Sequence, residues 1–346
     1  MAEPAIRATP GIDIDAVLGW TRALGIPAVA PIELARLGDG KSNLTCLLTD
    51  EVGSRWVLRR PPLGKLLPSA HDVAREYRIL SSLVDTPVPI ARPIALREPD
   101  GRIDAPLALM EHVPGLVIDK DAALGGVDLK RRHAIGISLA RTLATVHAVD
   151  LAAVGLDDLG SHKPYAARQL KRWRRQFEDS KTRDLPLFEE IAGRLEKAAP
   201  EQREVTLVHG DYHLLNVITD PDNGSVRAIL DWELSTLGDP LADLGGLLAY
   251  WPQADDPVPA YPAPFPSRPG FPRREELVEA YAEASGRDVG AVGFWETLGC
   301  WKVAAIAEGV LRRRLDDPRN GDPADSAKAA EQMLQRAVLA AERAGI

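Results

Sequence analysis

The sequence predicts an α+β chain in two parts, a small β-rich N-terminal lobe and a larger, mostly helical C-terminal lobe. Three observations predict it. A length of 346 residues exceeds what one hydrophobic core usually organises. Short β-prone runs dominate up to Met110, whereas apolar residues recur at helical spacing from Asp128 onward. Between the helical stretches lie two short, largely apolar runs, Val205–Val208 and Val226–Leu230, each followed at once by an acidic loop.

Composition narrows the function classes. Hydrophobic residues make up 45% and charged residues 27%, ordinary values for a globular protein, and the net charge of −8 argues against a general nucleic-acid binder. The two cysteines, Cys46 and Cys300, have neither zinc spacing nor a disulfide framework, so a reducing cytoplasm is expected. No apolar run is long enough to span a bilayer, and the N-terminus lacks a signal pattern. No membrane and no nucleic acid are expected as partners. Composition leaves the oligomeric state open.

In the first lobe, Asp15–Leu24 reads as a short helix ended by Pro27 and Pro31. Residues 32–50 carry Gly38-Asp39-Gly40-Lys41-Ser42-Asn43 at their centre. The Gly-Lys-Ser tripeptide invites a phosphate-loop reading, which fails twice. The position that needs the first glycine is Ala35, and the following Leu44–Thr49 is β-prone rather than helical. A strand–glycine turn–strand hairpin fits better, and a plain turn would look the same. Arg55–Arg60 is the next strand. Ser69-Ala-His-Asp72 reads as a variant capping box opening a helix, with Val73, Tyr77 and Leu80 facing the core. Ile94–Leu96 and Ala105–Met110 follow as extended segments. A Pro-Gly break at 114–115 suits a hinge, so the lobes are expected to be residues 1–110 and 111–346.

In the second lobe, Ile135, Leu139, Leu143 and Val146 form one helical stripe that ends at His147, which reads as a packed histidine rather than a catalyst. Pro164–Phe177 has an apolar ridge of Ala166, Leu170, Trp173 and Phe177. Its other face carries Arg168, Lys171, Arg172, Arg174 and Arg175. A solvated face and recognition of an anionic substrate are the two readings of that cluster. Trp251–Pro272 reads as a long irregular loop, and Glu275–Ser285, Phe294–Leu311 and Ala324–Ala344 as helices.

The chemistry sits in His209-Gly210-Asp211-Tyr-His213-Leu-Leu-Asn216 and Asp231-Trp-Glu233, with Leu237-Gly-Asp239-Pro-Leu-Ala-Asp243 just beyond. Two carboxylates and an amide at the ends of neighbouring strands suit a hard cation such as Mg²⁺, and leave one carboxylate to orient a hydroxyl nucleophile. The competing reading makes Asp211 and Asp231 loop caps. The spacing His-x-Asp-x-x-x-x-Asn followed by a strand-borne Asp parallels the catalytic loop and metal-binding Asp of protein kinases. The wording resembles the aminoglycoside phosphotransferase and choline-kinase-like family over roughly residues 31–250. Arg59-Arg60-Pro-Pro, Lys65-Leu-Leu-Pro-Ser-Ala-His71 and the basic helix resemble, within it, the kinase-like domains associated with acyl-CoA dehydrogenases.

The resemblance implies a two-lobed protein-kinase-like fold and Mg²⁺-dependent transfer of the γ-phosphoryl of ATP or GTP to a small-molecule hydroxyl. It implies Asp211 as the catalytic base, Asn216 and Asp231 as metal ligands, and a hairpin over the phosphates through Gly40, Ser42 and Asn43. Arg59 stands where the family has a lysine, with a solvated surface arginine as the alternative. Glu76 stands where a helical Glu pairs with that cation, with an exposed helical Glu as the alternative. The backbone of Glu111 and Val113 would bond the purine. His213 would lie near the transferring phosphate or be structural, Glu233 could add to the metal site, and Asp239 and Asp243 would support the catalytic loop. The branch is implicated in phosphorylating hydroxyacyl-CoA compounds, which fits the basic helix better than a polycationic aminoglycoside does. An aminoglycoside kinase and a regulatory pseudokinase, the latter motivated by Arg59, are the alternatives.

Overall fold

A computed structural model describes residues 11–37, 43–62, 72–100, 103–259 and 265–346. The chain separates into two compact units, Met1–Pro114 and Gly115–Ile346.

The first unit is built on a five-stranded antiparallel sheet. After helix α1 (Ile14–Ala23) come β1 (Glu33–Arg36), β2 (Leu44–Thr49), β3 (Arg55–Arg60), helix α2 (Val73–Leu83), β4 (Pro93–Arg97) and β5 (Leu107–Glu111). The order is β1-β2-β3-β5-β4. Leu107 to Met110 are all buried, so β5 is covered on both faces. One face packs Cys46, Leu48, Leu58, Leu107 and Leu109 against Ala16 and Val17 of α1. Helix α2 packs on β4 and β5, and its Glu76 reaches Arg59 of β3. Asp72 caps α2 by accepting from Arg75 N at 2.9 Å. It is therefore the N-cap itself and not the third helical residue of a capping box begun at Ser69, which lies outside the described residues. That shift turns Glu76 and Ile79 inward with Val73 and Leu80, and leaves Tyr77 only half-buried.

The second unit is mostly helical. Its elements are α3 (Leu129–His147), α4 (Tyr165–Ser180), α5 (Pro186–Ala198), β6 (Thr206–Val208), β7 (Val217–Thr219), β8 (Val226–Ile229), β9 (Thr236–Gly238), α6 (Leu241–Ala249), α7 (Arg274–Ser285), α8 (Val292–Asp316) and α9 (Pro323–Ala344). Ile135, Leu139, Leu143 and Val146 are buried along α3, as the stripe requires. Helix α8 packs against α9 and α6. Its contact with α6 is close because Gly245 has no side chain: a Cβ there would lie 2.2 Å from the carbonyl carbon of Trp295. The strands form two separate ribbons, β6 with β9 and β7 with β8. Val205–Val208 and Val226–Leu230 are thus not paired neighbours. Each uses a three-residue partner that the sequence reading did not see. Among the described residues no helix is long and apolar enough to cross a membrane.

Candidate active site

Strand β6 ends at Val208, and the chain then turns through His209 and Gly210 to Asp211. Asp243 holds this turn from below. Its carboxylate accepts from His209 N at 2.5 Å and Gly210 N at 2.8 Å. Gly210 has φ +83°, and a Cβ would come within 2.7 Å of Leu234 O, so both backbone sign and space require glycine. His209 is fully buried. Its Nε2–H donates to Leu230 O at 2.9 Å, and Nδ1 accepts from Asp211 N at 3.3 Å. One neutral tautomer satisfies both bonds, in keeping with burial, which lowers the pKa of His209. The Leu230 bond ties the end of β8 to the end of β6 across the two ribbons.

Asp243 is itself oriented by His147, whose Nε2 lies 3.3 Å from Oδ2 and whose Nδ1 lies 2.7 Å from the Tyr281 hydroxyl. Burial pushes the Asp243 carboxyl upward, but the two histidines and the turn's N–H groups outweigh it and keep it ionised below the usual range. Asp239 acts one step further back, accepting from Leu241 N at 2.9 Å at the start of α6, the helix that carries Asp243. It supports the helix rather than the loop directly.

Asp211 is a quarter exposed at its side chain, with His213 Nε2 at 3.4 Å from Oδ2. Burial raises its pKa, but His213, Lys302 and His209 together hold it well below the ordinary carboxylate range. Asn216 gives its amide nitrogen to Asp211 O at 2.9 Å and Oδ2 at 3.2 Å, which leaves the amide oxygen as the atom a cation could take. His213 is buried against Tyr250, with ring centroids 4.5 Å apart. Asp231 lies two residues past the end of β8, and Leu230 N between them donates to Asn216 O at 2.8 Å, holding the two segments together. Among the described residues Asp231 alone is a non-glycine with positive φ, at +66°. Such a conformation costs about 1 kcal/mol or more and concentrates at functional sites. Asn216 and Asp231 supply oxygen donors of the kind Mg²⁺ takes when phosphates complete its shell. Among the described residues no group of three His, Cys, Asp or Glu forms a metal cluster. Glu233 is half-buried in the turn after Asp231.

In the first unit, Arg59 Nε lies 2.8 Å from Glu76 Oε2, with the two side chains 12% and 5% exposed. A solvated arginine and an exposed helical Glu are both excluded. Asn43 is buried immediately before β2, whereas Gly40 and Ser42 lie outside the described residues. Glu111 donates its N–H to Arg92 O at 2.9 Å at the end of β5, and Val113 follows outside any strand.

The basic face of α4 does not gather as its spacing suggested. Arg168 donates to Lys163 O at 3.1 Å and Leu237 O at 2.7 Å, a structural tie. Arg175 is 84% exposed beside Asp179, and Arg174 bridges Glu189 and Glu196 of α5. Helical spacing places residues on one face but does not say what faces them. Arg172 lies over the Trp173 ring, 5.3 Å from its centroid. Lys302 of α8 reaches the site, its Nζ donating to Gly210 O at 2.6 Å and lying 5.3 Å from the centroid of the same Trp173 ring. The sequence reading missed it. Its signal was present as a lone charge in the apolar run Gly299–Ala307.

Residues 33–295 match the model of the phosphotransferase enzyme family. Acyl-CoA dehydrogenase family member 10 of Mus musculus is 35% identical over 96% of this chain. The match occupies 31% of that protein, and the chain spans about a third of the length of the curated relatives it matches. Among solved structures, a Ralstonia eutropha protein provisionally named an aminoglycoside phosphotransferase superposes with TM-score 0.79 at 29% identity, covering 96% of this chain and 98% of that one. An amicoumacin kinase solved with AMP-PNP, Ca²⁺ and Ami shares the fold at TM-score 0.61 and 16% identity, covering 95% of this chain and 94% of that one. The fold is the kinase-like α+β fold of these phosphotransferases, with a β-rich N-terminal unit and a helical C-terminal one.

Proposed function

Because the chain belongs to the phosphotransferase enzyme family, we propose that it moves the γ-phosphoryl of ATP or GTP to a hydroxyl of an anionic small molecule, with Asp211 as the base. The observation that carries this is the locked turn. Asp211 is presented by a backbone that Asp243 and His209 fix, as a carboxylate that stays ionised at neutral pH. Such a group orients the acceptor O–H and accepts its proton as the new O–P bond forms and the β–γ bridging bond breaks. Asn216 and Asp231 would hold Mg²⁺, which when bound neutralises phosphate charge. Arg59, paired with Glu76, would meet phosphate oxygens through its planar guanidinium. Asn43, Gly40 and Ser42 serve the phosphates, and the backbone of Glu111 and Val113 the purine. His213, packed between Asp211 and Tyr250, borders the transferring phosphoryl.

The acceptor's sign follows from Lys302, an ammonium beside Asp211, which repels a polycation. The name of the mouse relative supports an acyl-CoA-like hydroxyl compound, whereas that of the Ralstonia protein favours the second reading, an aminoglycoside or other amino alcohol. A regulatory pseudokinase has no use for Asp211, Asn216 and Asp231 together. The test is turnover of MgATP or MgGTP against a panel of anionic, neutral and cationic hydroxyl compounds, with Asp211→Asn as control. Transfer to an anionic member is expected, with the variant's kcat down by orders of magnitude and its nucleotide affinity nearly intact. A near-normal kcat in the variant overturns the assignment of Asp211. Efficient use of an aminoglycoside overturns the acceptor class.

A further inference from the structure

Helices α4 and α8 lie side by side and run in the same direction. The rings of Tyr165 and Trp295 are 6.0 Å apart, Lys302 Nζ lies 5.3 Å from the Trp173 centroid, and a Cβ built at Gly309 would lie 3.7 Å from Ser180 Oγ. Residue numbers rise together on both helices, so the seam between them is continuous from Tyr165 to Ser180. All of it belongs to the second unit. On α8, Lys302, Ile306, Gly309 and Arg313 recur at i, i+4, i+7 and i+11, and on α4 Arg172, Gln176 and Asp179 recur at i, i+4 and i+7. Lys302, Ile306 and Gln176 are half-buried, whereas Arg172 and Arg313 are exposed. Gly309 leaves a notch beside Ser180, and the Arg313 guanidinium reaches back over it, with Nη1 3.9 Å from the same built Cβ.

The seam carries a cation at each end. Lys302 and Arg313 are eleven residues apart, on the order of 16 Å along the helix axis. Both side chains lean toward the N-terminus of α8, as helical side chains do. Lys302 Nζ reaches Gly210 O and lines a cavity with Leu298 and Gly299, and Arg313 reaches Gly309, so the offset between their charges is kept. Carboxylates do not answer these cations. Asp179 is turned to Arg175 at 3.6 Å and Asp317 to Arg319 at 2.8 Å. Among the described residues no acid, Asp316 included, forms an ion pair with Arg172, Lys302 or Arg313. The result is a half-apolar groove that starts beside Asp211 and ends at an unneutralised guanidinium. Charge complementarity then calls for an acceptor with an uncharged middle and an anionic far end.

We propose that this seam holds the coenzyme A part of a hydroxyacyl-CoA acceptor and that Arg313 is its specificity-determining residue. The inference rests on the phosphotransfer reading above and deepens it. The hydroxyacyl end lies at Asp211, the pantetheine arm runs over Gln176, Ile306 and Gly309, and the phosphates meet Arg313. Coenzyme A joins its sulfur to its first phosphorus through about thirteen bonds, the backbone length of about four extended residues or ~15 Å, which matches the offset between the two cations. A planar guanidinium suits phosphate oxygens. Arg172 keeps the near end of the seam positive. Arg313 lies far from the reacting atoms, so its work is binding and its loss falls on KM.

The test compares two thioesters of one hydroxy acid, that of coenzyme A and that of pantetheine, which keeps the reacting end and the arm but lacks the phosphates. Wild type is expected to favour the coenzyme A thioester by about 10-fold or more in kcat/KM, carried by KM, as one charge-assisted contact allows. Part of that preference should be lost at high salt, because the contact is exposed. Arg313→Gln is expected to raise KM for the coenzyme A thioester by a similar factor, with kcat and KM for MgATP unchanged, and so to close the gap between the thioesters; Arg313→Lys keeps part of it. Lys171→Gln removes the same charge from the side of α4 that faces α5 and should leave the preference intact. Equal use of the two thioesters by wild type overturns the proposal, and this comparison needs no variant to fold. An equal rise in KM for both thioesters in Arg313→Gln, or the same loss of preference in Lys171→Gln, overturns it too, because the effect is then one of packing or of net charge. Failure of wild type to phosphorylate any hydroxyl compound while binding nucleotide removes the phosphotransfer reading and this one with it. Transfer that proceeds without a preference for the coenzyme A thioester removes only this one.

Discussion

At the scale of single residues, the site depends on two backbone conformations that side chains resist. Asp231 holds φ +66° at the end of β8. Asparagine and aspartate tolerate that region better than other residues, so Asp231→Ala removes the carboxylate and adds strain together. The expected result is loss of Mg²⁺-dependent nucleotide binding with a drop in stability on the order of 1 kcal/mol; Asp231→Asn separates the two by keeping the conformation. Unchanged Mg²⁺-nucleotide affinity by calorimetry in both variants would make the residue structural. Gly210→Ala meets both φ +83° and the Leu234 carbonyl. It should distort the turn and abolish transfer even where the protein still folds, as read by activity against circular dichroism. Asp211, Asn216 and Asp231 were legible in the sequence because they lie within 21 residues and their spacing reflects one local construction. Lys302 was not, since it reaches Gly210 from 92 residues away and no local pattern encodes that meeting.

At the scale of elements, long periodic helices were legible and short partners were not. The stripe of α3 and the extents of α7, α8 and α9 follow from apolar recurrence over many residues. Strands β7 and β9 are three residues each, too short for a period, and exist because β8 and β6 need hydrogen-bond partners. The two apolar runs therefore looked like neighbours, when each belongs to its own ribbon and the His209–Leu230 bond ties their ends. The seam that aligns Asp243 lies between α6 and α8. At Gly245 an added Cβ would overlap the Trp295 backbone at 2.2 Å, and backbone cannot swing aside. Gly245→Ala is expected to destabilise by about 1–3 kcal/mol despite alanine's better helix propensity, and to lower activity by moving Asp243. Gly193→Ala in α5, where nothing lies within 4 Å, should instead stabilise by up to about 1 kcal/mol. Thermal melts of the two variants check the contrast; like shifts for both would mean that helix propensity, not the seam, decides.

At the scale of the whole molecule, the division into a β-rich and a helical part was legible from where the period changes, and its physical reason is the different burial of the two patterns. Buried ionisable groups were less legible, because a sequence does not say which His or Asp loses its water. They predict how stability responds to acid. His147 and His209 are buried, and burial is the leading cause that lowers both pKa values. An unfolded histidine titrates near about 6.5, so below that pH the unfolded chain binds protons that the folded one refuses. Stability must therefore fall as pH drops through that range, by at most about 1.4 kcal/mol per pH unit for each histidine. Asp211, Asp243 and Asp256 are shifted downward in spite of burial, by His213, by His147 and by Arg274 respectively, with their other partners. Their contribution is present above the unfolded value near about 3.9 and is lost as pH falls through their depressed folded values. Two stages are expected in denaturant-unfolding free energy against pH, one starting near about 6.5 and a second below about 4. His147→Gln should lower absolute stability, because the Tyr281 and Asp243 contacts change, yet flatten the first stage, since one of the refused protons is gone while those of His209 and His112 remain. A free energy that stays level between about pH 7 and 5 in wild type, or a slope that His147→Gln leaves untouched, would mean that these imidazoles take up protons in the folded state and that the neutral tautomer assigned to the turn is wrong.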